Sequence, residues 1–248
     1  MIEEVRRSLA GLVEELPSPA DAPAAPPASR HELAACIDHT MLRPDAGAAD
    51  ARAACRLAVE TGCAAVCLAS RFVPLAASEL AGTGVKVCTV ISFPHGADAA
   101  AVKAFAAAQA IAQGADEIDM VMSLGALRDG DDQGLAAEIR FVRSAMPERM
   151  LKVILETGLL APGEIVRAAL IAVASGADFV KTSTGFMGGG ATVAAVDLLR
   201  RSVGGLAGIK ASGGIRTLPE ALDLIAAGAT RLGMSRTAEV LGTWGDDR

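Results

Sequence analysis

Five lysines, Lys86, Lys103, Lys152, Lys181 and Lys210, stand against 18 arginines in this 248-residue chain. A chain so biased toward arginine keeps lysine where an amine that can lose its proton is wanted. Lys152, Lys181 and Lys210 fall in apolar, strand-like stretches (LKVILE, ADFVKTS, GIKAS), where burying an unpaired charge costs several kcal/mol. A lysine held there can attack a carbonyl to give a Schiff base, an electron sink for making or breaking the adjacent carbon–carbon bond. A free lysine amine has a pKa of about 10.4 and is almost wholly protonated near pH 7. A second cation nearby and a dry interior both disfavour the charged form. Asp119, in DEIDMV, offers the carboxylate that proton transfer needs. The plainer alternative is a buried ion-pair network in which Asp119 and Glu156 neutralise the lysines. Three inward lysines out of five favour chemistry.

The elements that must position these residues show a faint repeat. Gly62, Gly114, Gly176 and Gly228, at intervals of 52, 62 and 52 residues, each follow a helical pattern and precede a short apolar stretch. Those stretches are CAAVCLAS, ADEIDMVMS, ADFVKTS and ATRLGMS, and each interval holds about two βα units. Four further strands are predicted between them: Ala35–His39, Val85–Ile91, Leu151–Glu156 and Ala207–Ala211. Eight strands with helices between them in about 220 residues predict an α/β fold, a (β/α)8 TIM barrel, with a doubly wound open sheet as the fallback. Alternation then assigns faces. Ile118, Met120 and Met122 point to the helices, leaving Glu117 and Asp119 inside. Val153 and Leu155 do the same, leaving Lys152, Ile154 and Glu156. Val180 faces outward while Phe179, Lys181 and Ser183 look inward, and Ile209 and Lys210 divide likewise.

Composition narrows the class of function. The chain is 52% hydrophobic and carries a net charge of −6, which argues against a nucleic-acid backbone or an anionic membrane as the main partner. Five cysteines in no framework spacing read as reduced thiols, and no signal peptide or membrane span is evident, so a cytoplasmic location is expected. Residues 2–14 read as a short amphipathic helix, and 17–29, with five of the eleven prolines, as an extended linker. The expected division is therefore 1–29 for helix and flexible linker, and 30–248 for the barrel.

Three glycine-bearing segments follow late strands: Thr184–Gly190, Gly213–Gly214, and Gly233 with Ser235. Backbone N–H groups freed by glycine can cradle a phosphate, and such loops are the usual place in barrels. His31, His39 and His95 have no metal-ligand spacing. His31 is expected in solvent, and His39, at the end of strand 1, either touches the site or makes a local hydrogen bond. Cys63, Cys67 and Cys88 read as core residues and Trp244 as a packing anchor. No metal and no cofactor is expected.

Six segments together resemble the deoxyribose-phosphate aldolase family. They are Ile37–Leu42 (IDHTML), Val85–Gly96 (VKVCTVISFPHG), Asp116–Val121 (DEIDMV), Leu151–Thr157 (LKVILET), Phe179–Phe186 (FVKTSTGF) and Ile209–Arg216 (IKASGGIR). They come in the family's order over about residues 31–240, and KTSTGF followed 29 residues later by KASGGIR is highly specific. The resemblance implies a metal-free class I aldolase interconverting 2-deoxy-D-ribose 5-phosphate with D-glyceraldehyde 3-phosphate and acetaldehyde. It implies that Lys181 forms the Schiff base, that Lys210 perturbs it and relays protons, and that Asp119 is the acid/base. Asp38 and Thr40 match residues that contact substrate hydroxyls. Thr184 and Gly185, with Gly213, Gly214, Gly233 and Ser235, match the substrate-binding and phosphate-cradling positions. Three positions depart from the family: Ala69 and Ser123 where asparagine is common, and Arg236 in place of the second serine of a pair.

Two other readings stay open on the sequence: a Schiff-base barrel aldolase for another phosphorylated sugar, and a barrel that binds such a sugar without turnover. The expected partners are the phosphorylated sugar and acetaldehyde. Barrels of this kind often pair, so a homodimer is an assembly the sequence leaves open.

Overall fold

The computed structural model describes residues 1–9, 11–14, 16–18 and 25–245. Eight parallel strands close into a barrel in chain order: β1 (Ile37–Met41), β2 (Ala65–Leu68), β3 (Lys86–Ile91), β4 (Glu117–Val121), β5 (Met150–Ile154), β6 (Phe179–Lys181), β7 (Gly208–Ser212) and β8 (Arg231–Met234). Before and between them run α1 (Ile2–Ser8), α2 (Arg30–Ala34), α3 (Ala48–Thr61), α4 (Val73–Glu79), α5 (Ala100–Ala112), α6 (Leu124–Asp129) and α7 (Asp132–Ala145). The outer ring is completed by α8 (Pro162–Ala174), α9 (Val193–Val203), α10 (Leu218–Ala226) and α11 (Thr237–Gly242). The expected (β/α)8 barrel is the observed fold, and β8 closes on β1 by pairing Leu232 with Ile37 and Gly233 with Asp38.

Strand alternation divides the core in two. Ile37, Val66, Leu68, Ile118, Met120, Leu151, Val153, Val180, Ile209 and Leu232 point outward into one continuous apolar layer. They pack there against helix residues such as Leu135, Ile139, Val166, Leu170 and Leu199. Each fully buried side chain of this kind contributes about 1.5–3 kcal/mol. The opposite faces meet inside the ring. On β2 and β3 that inner face is a separate apolar group of Ala65, Cys67, Cys88 and Val90; elsewhere it is charged. The four repeated glycines all adopt left-handed backbone, with φ of +74°, +108°, +93° and +121° at Gly62, Gly114, Gly176 and Gly228. A side chain is strained in that conformation, so glycine lets each helix turn sharply into the next strand.

The N-terminal segment departs from the sequence expectation. Its helix ends at Ser8, not residue 14, and Gly11 takes left-handed backbone beyond it. The segment also packs against α8, with Leu9 and Val13 buried in the main core. The expected linker at 17–29 lies partly outside the described residues. Within its described part Pro27 is buried, and the Ser29 hydroxyl caps α2 by accepting from the Glu32 N–H at 3.1 Å. Among the described residues, no helix is long and apolar enough to cross a membrane.

Candidate active site

Neighbouring strands set a row of cations across the barrel interior. Lys181 on β6 is in register with Lys210 on β7, and Lys210 with Arg231 on β8, while Lys152 enters from β5. Flanking them, β1 contributes Asp38 and β4 contributes Glu117 and Asp119. Asp119 Oδ2 accepts from Lys181 Nζ and from Lys210 Nζ, each at 2.7 Å, so the two amines lie no more than twice that distance apart. Its other oxygen accepts from Lys152 Nζ at 2.8 Å. Asp38 Oδ2 takes Lys210 and, at 3.3 Å, Lys152; Asp38 Oδ1 takes Arg231 Nη1 at 2.6 Å. Glu117 completes the floor, 2.6 Å from Lys152 Nζ and 3.3 Å from Arg231 Nη2. The contact to Lys152 is an ion pair held by charge, since Glu117 Oε2 makes no directed hydrogen bond.

Burial alone would raise the carboxyl pKa values of Asp119 and Asp38, but the cations outweigh it. Lys152, Lys181 and Lys210 hold Asp119 well below the ordinary carboxylate range, and Lys152, Lys210 and Arg231 do the same for Asp38. The reverse holds for Lys210: burial opposes its charge, yet Asp119 and Asp38 raise its pKa, so it stays an ammonium. Four cations face three carboxylates. Among the described residues Lys181 has a single carboxylate partner, Asp119, and shares it with two other lysines.

Above this cluster, at the C-terminal end of the strands, opens a cavity of about 430 Å³. Lys181 is the member of the cluster that lines it, together with Thr40, Thr184, Gly185, Gly213, Gly214, Gly233 and Ser235. Thr40, Lys181 and the six loop residues named from the sequence are therefore brought to one cavity. Among the described residues, the N–H groups of Gly185, Gly213, Gly214 and Ser235 donate to no protein acceptor. Those are the donors an anion would use. Gly213 has left-handed backbone (φ +87°), and a Cβ there would also stand tightly, 3.2–3.3 Å from the backbones of Gly190 and Gly185. One on Gly233 would meet Ser212 Cβ at 2.9 Å and the Lys210 side chain at 3.1 Å.

Other residues singled out from the sequence sit elsewhere. Asp38 does not line the cavity; it is wholly buried beneath it, bonded to lysines and Arg231. Glu156 turns away from the lysines because its backbone is left-handed (φ 56°), and its carboxylate accepts from Thr184 Oγ1 at 2.6 Å and from Thr184 N–H. It thereby braces the loop after β6. Arg236 pairs with Glu239 on the surface, and the Ser123 hydroxyl caps α6 by accepting from the Ala126 N–H. Ala69 borders an adjoining cleft with Val90, Ile91 and Phe93, and Phe186 stands between the two spaces. His39, by contrast, lines the cavity; its Nδ1 bonds Thr237 Oγ1 at 2.9 Å, and burial lowers its pKa.

Sequence reasoning did not assign a part to Arg231 or to Lys103. Alternation along ATRLGMS, which puts Arg231 on the same face as Gly233, was the signal for the first. Arg43, on the rim of the cavity and paired with Asp45 and Asp50, was also unassigned. Two donor sets, Cys67–Cys88–Asp119 and Asp38–Cys88–Glu117, bring ligand-type atoms within 4.8 Å of one another. Lysine ammonium groups already contact both sets, through Lys152 at Cys88 (3.2 Å), Glu117 and Asp119, so an added cation would meet strong repulsion there.

The family model described as DeoC/LacD family aldolase matches residues 33–237. A protein of Rhodospirillum rubrum named deoxyribose-phosphate aldolase is 50% identical over 210 residues, covering 85% of this chain and 88% of that one. One of the same name from Mycobacterium avium is 51% identical over 218 residues, covering 86% and 97%. The solved structure of deoxyribose phosphate aldolase from Aeropyrum pernix, described as a unique tetramer, superposes with a TM-score of 0.82. It is 32% identical, covering 89% of this chain and 94% of that one.

Proposed function

Because this chain belongs to the DeoC/LacD family of aldolases, we propose that Lys181 is the amine through which it works. The chain is a class I aldolase, a carbon–carbon lyase that reversibly cleaves 2-deoxy-D-ribose 5-phosphate to D-glyceraldehyde 3-phosphate and acetaldehyde. The observation that carries the assignment of Lys181 is its double membership: it belongs to the buried charge cluster and also lines the cavity.

The Lys181 amine adds to the aldehyde carbon of the substrate, and water leaves to give the iminium. A base takes the proton of the hydroxyl on the third carbon. The bond between the second and third carbons then breaks, its electron pair moving toward the iminium nitrogen, and glyceraldehyde 3-phosphate departs. The remaining enamine takes a proton at the second carbon, and water hydrolyses the iminium to release acetaldehyde and the free amine. Asp119, hydrogen-bonded to both Lys181 and Lys210, is placed to pass protons between them in this sequence. The N–H groups of Gly185, Gly213, Gly214 and Ser235 are suited to the phosphate, and Thr40 and Thr184 to the sugar hydroxyls. Asp38 supports the site from below by holding Lys210.

Borohydride added with acetaldehyde should leave a stable adduct on Lys181, located by peptide mass spectrometry. An adduct elsewhere, or full cleavage activity in Lys181→Arg, would refute the assignment. The unphosphorylated sugar should be cleaved with kcat/KM lower by roughly 100-fold or more, from the loss of charge-assisted hydrogen bonds. A homodimer is kept as a proposal for light scattering to test.

A further inference from the structure

Asp119 is reached by two chains of contacts that begin in the floor of the barrel. One runs from Arg231 to Asp38 Oδ1, and from Asp38 Oδ2 to Lys210, which in turn shares Asp119 Oδ2 with Lys181. The other runs from Glu117 to Lys152, which holds Asp119 Oδ1. Neither Arg231 nor Glu117 lines the cavity. We propose that Arg231 and Glu117 are positioning residues that set, with opposite sign, the pH at which Lys181 becomes reactive. This rests on Lys181 being the Schiff-base amine.

Around Asp119 and the cavity that Lys181 lines stand groups from almost every strand: Asp38 and His39 on β1 with Arg43 just beyond it, Glu117 and Asp119 on β4, Lys152 on β5, Lys210 on β7 and Arg231 on β8. The thiols of Cys67 on β2 and Cys88 on β3 stand beside Asp119. With four cations to three carboxylates, the cluster carries one positive charge in excess when every group is ionised. Among the described residues Lys181 has one carboxylate within reach, Asp119, and that carboxylate is divided among three amines. Arg231 adds to the excess and also draws on Asp38. Without it, Asp38 would take more of Lys210, leaving more of Asp119 to Lys181. Glu117 reduces the excess and draws Lys152 downward. Without it, Lys152 would lean harder on Asp119 and compete with Lys181. For each residue the net-charge effect and the local effect have the same sign.

The test is the pH profile of kcat/KM for cleavage, paired with borohydride trapping of acetaldehyde across the same pH range. Glu117→Gln should move the acidic limb of both profiles down by about one pH unit, and Arg231→Met should move it up by about as much. Arg231→Lys, which keeps the charge, should leave the limb near its original position, and E117Q/R231M should return it there. A merely structural role would lower activity without moving the limbs in opposite directions. Limbs that stay put, or move the same way in both variants, overturn the proposal. If R231M does not fold, the isosteric E117Q decides: a limb that fails to move down is sufficient to reject it. Absence of a trapped adduct in the unmodified protein would instead strike the Schiff-base reading itself.

Discussion

Lys103 and Lys181 are both buried lysines in contact with a carboxylate, yet their surroundings differ in kind. Lys103, on α5, lies outside the ring of strands. Its Nζ contacts Glu138 Oε1 on α7 at 2.9 Å and donates to the carbonyls of Gly96 and Val121 at 2.8 and 3.0 Å. One charge meets one charge, and two neutral acceptors take the remaining protons of the ammonium. Lys181 has one carboxylate, shared three ways, and an open cavity beside it. Burial is common to both. Burial pushes the Lys103 amine below the ordinary lysine value despite Glu138. What separates the two is sharing and access: Lys181 divides its carboxylate with two other lysines and lines a cavity that substrate can enter, so it reads as the reagent and Lys103 as a fastener.

Substitution by methionine should separate the two most sharply. Lys181→Met should reduce cleavage toward the uncatalysed rate, by about six orders of magnitude or more, in a coupled assay for released acetaldehyde. Its Tm should hold or rise, because the change removes the excess cation from the interior. Lys103→Met should do the reverse. Leaving Glu138 buried without its partner costs about 3 kcal/mol, or roughly 6–12 °C in Tm by calorimetry. The folded variant should keep kcat within about threefold, and adding Glu138→Gln should recover part of the lost Tm. Loss of cleavage in folded K103M would erase the distinction.

The smallest effect expected concerns His39, whose buried ring contacts Thr237. Burial lowers its pKa from the ordinary 6.5, so below that pH the unfolded chain binds a proton that the folded chain resists. Stability should therefore decline as pH falls from about 7 toward 5, and His39→Gln should flatten part of that decline. A Tm-versus-pH series unchanged by the substitution would mean that other groups dominate the slope.

The barrel, the inward lysines and the glycine loops were legible because they follow from strand alternation and turn chemistry, which are local. Glu117, Asp119, Lys152, Lys181 and Lys210 lie on the faces that a two-residue period assigns. Glu156 broke the rule where the backbone did: its left-handed conformation interrupts the alternation and delivers the carboxylate to Thr184. The pairing of Lys103 with Glu138 spans two helices, and nothing in AAVKAFAAAQ signals that its lysine is covered. Asp38 was expected among substrate contacts because of what its segment resembles. Its depth is set by the register of β1 against β8, which one strand alone does not reveal. The N-terminal segment, read as a helix and free linker, instead packs α1 against α8, more than a hundred residues away, and buries Leu9 and Val13 in the main core.

The closed ring of strands has a consequence for assembly. Side chains alternate, so a strand docked one residue out of place would thrust its lysine or carboxylate into the greasy sleeve of helices and pull an isoleucine or valine inward. On β4, β5, β6, β7 and β8 that mistake would strand an ion with no partner, at a cost comparable to much of the stability of the whole protein. The groups suited to breaking a carbon–carbon bond thus double as a gauge of alignment, and only the correctly threaded cylinder lets every one of them find its mate.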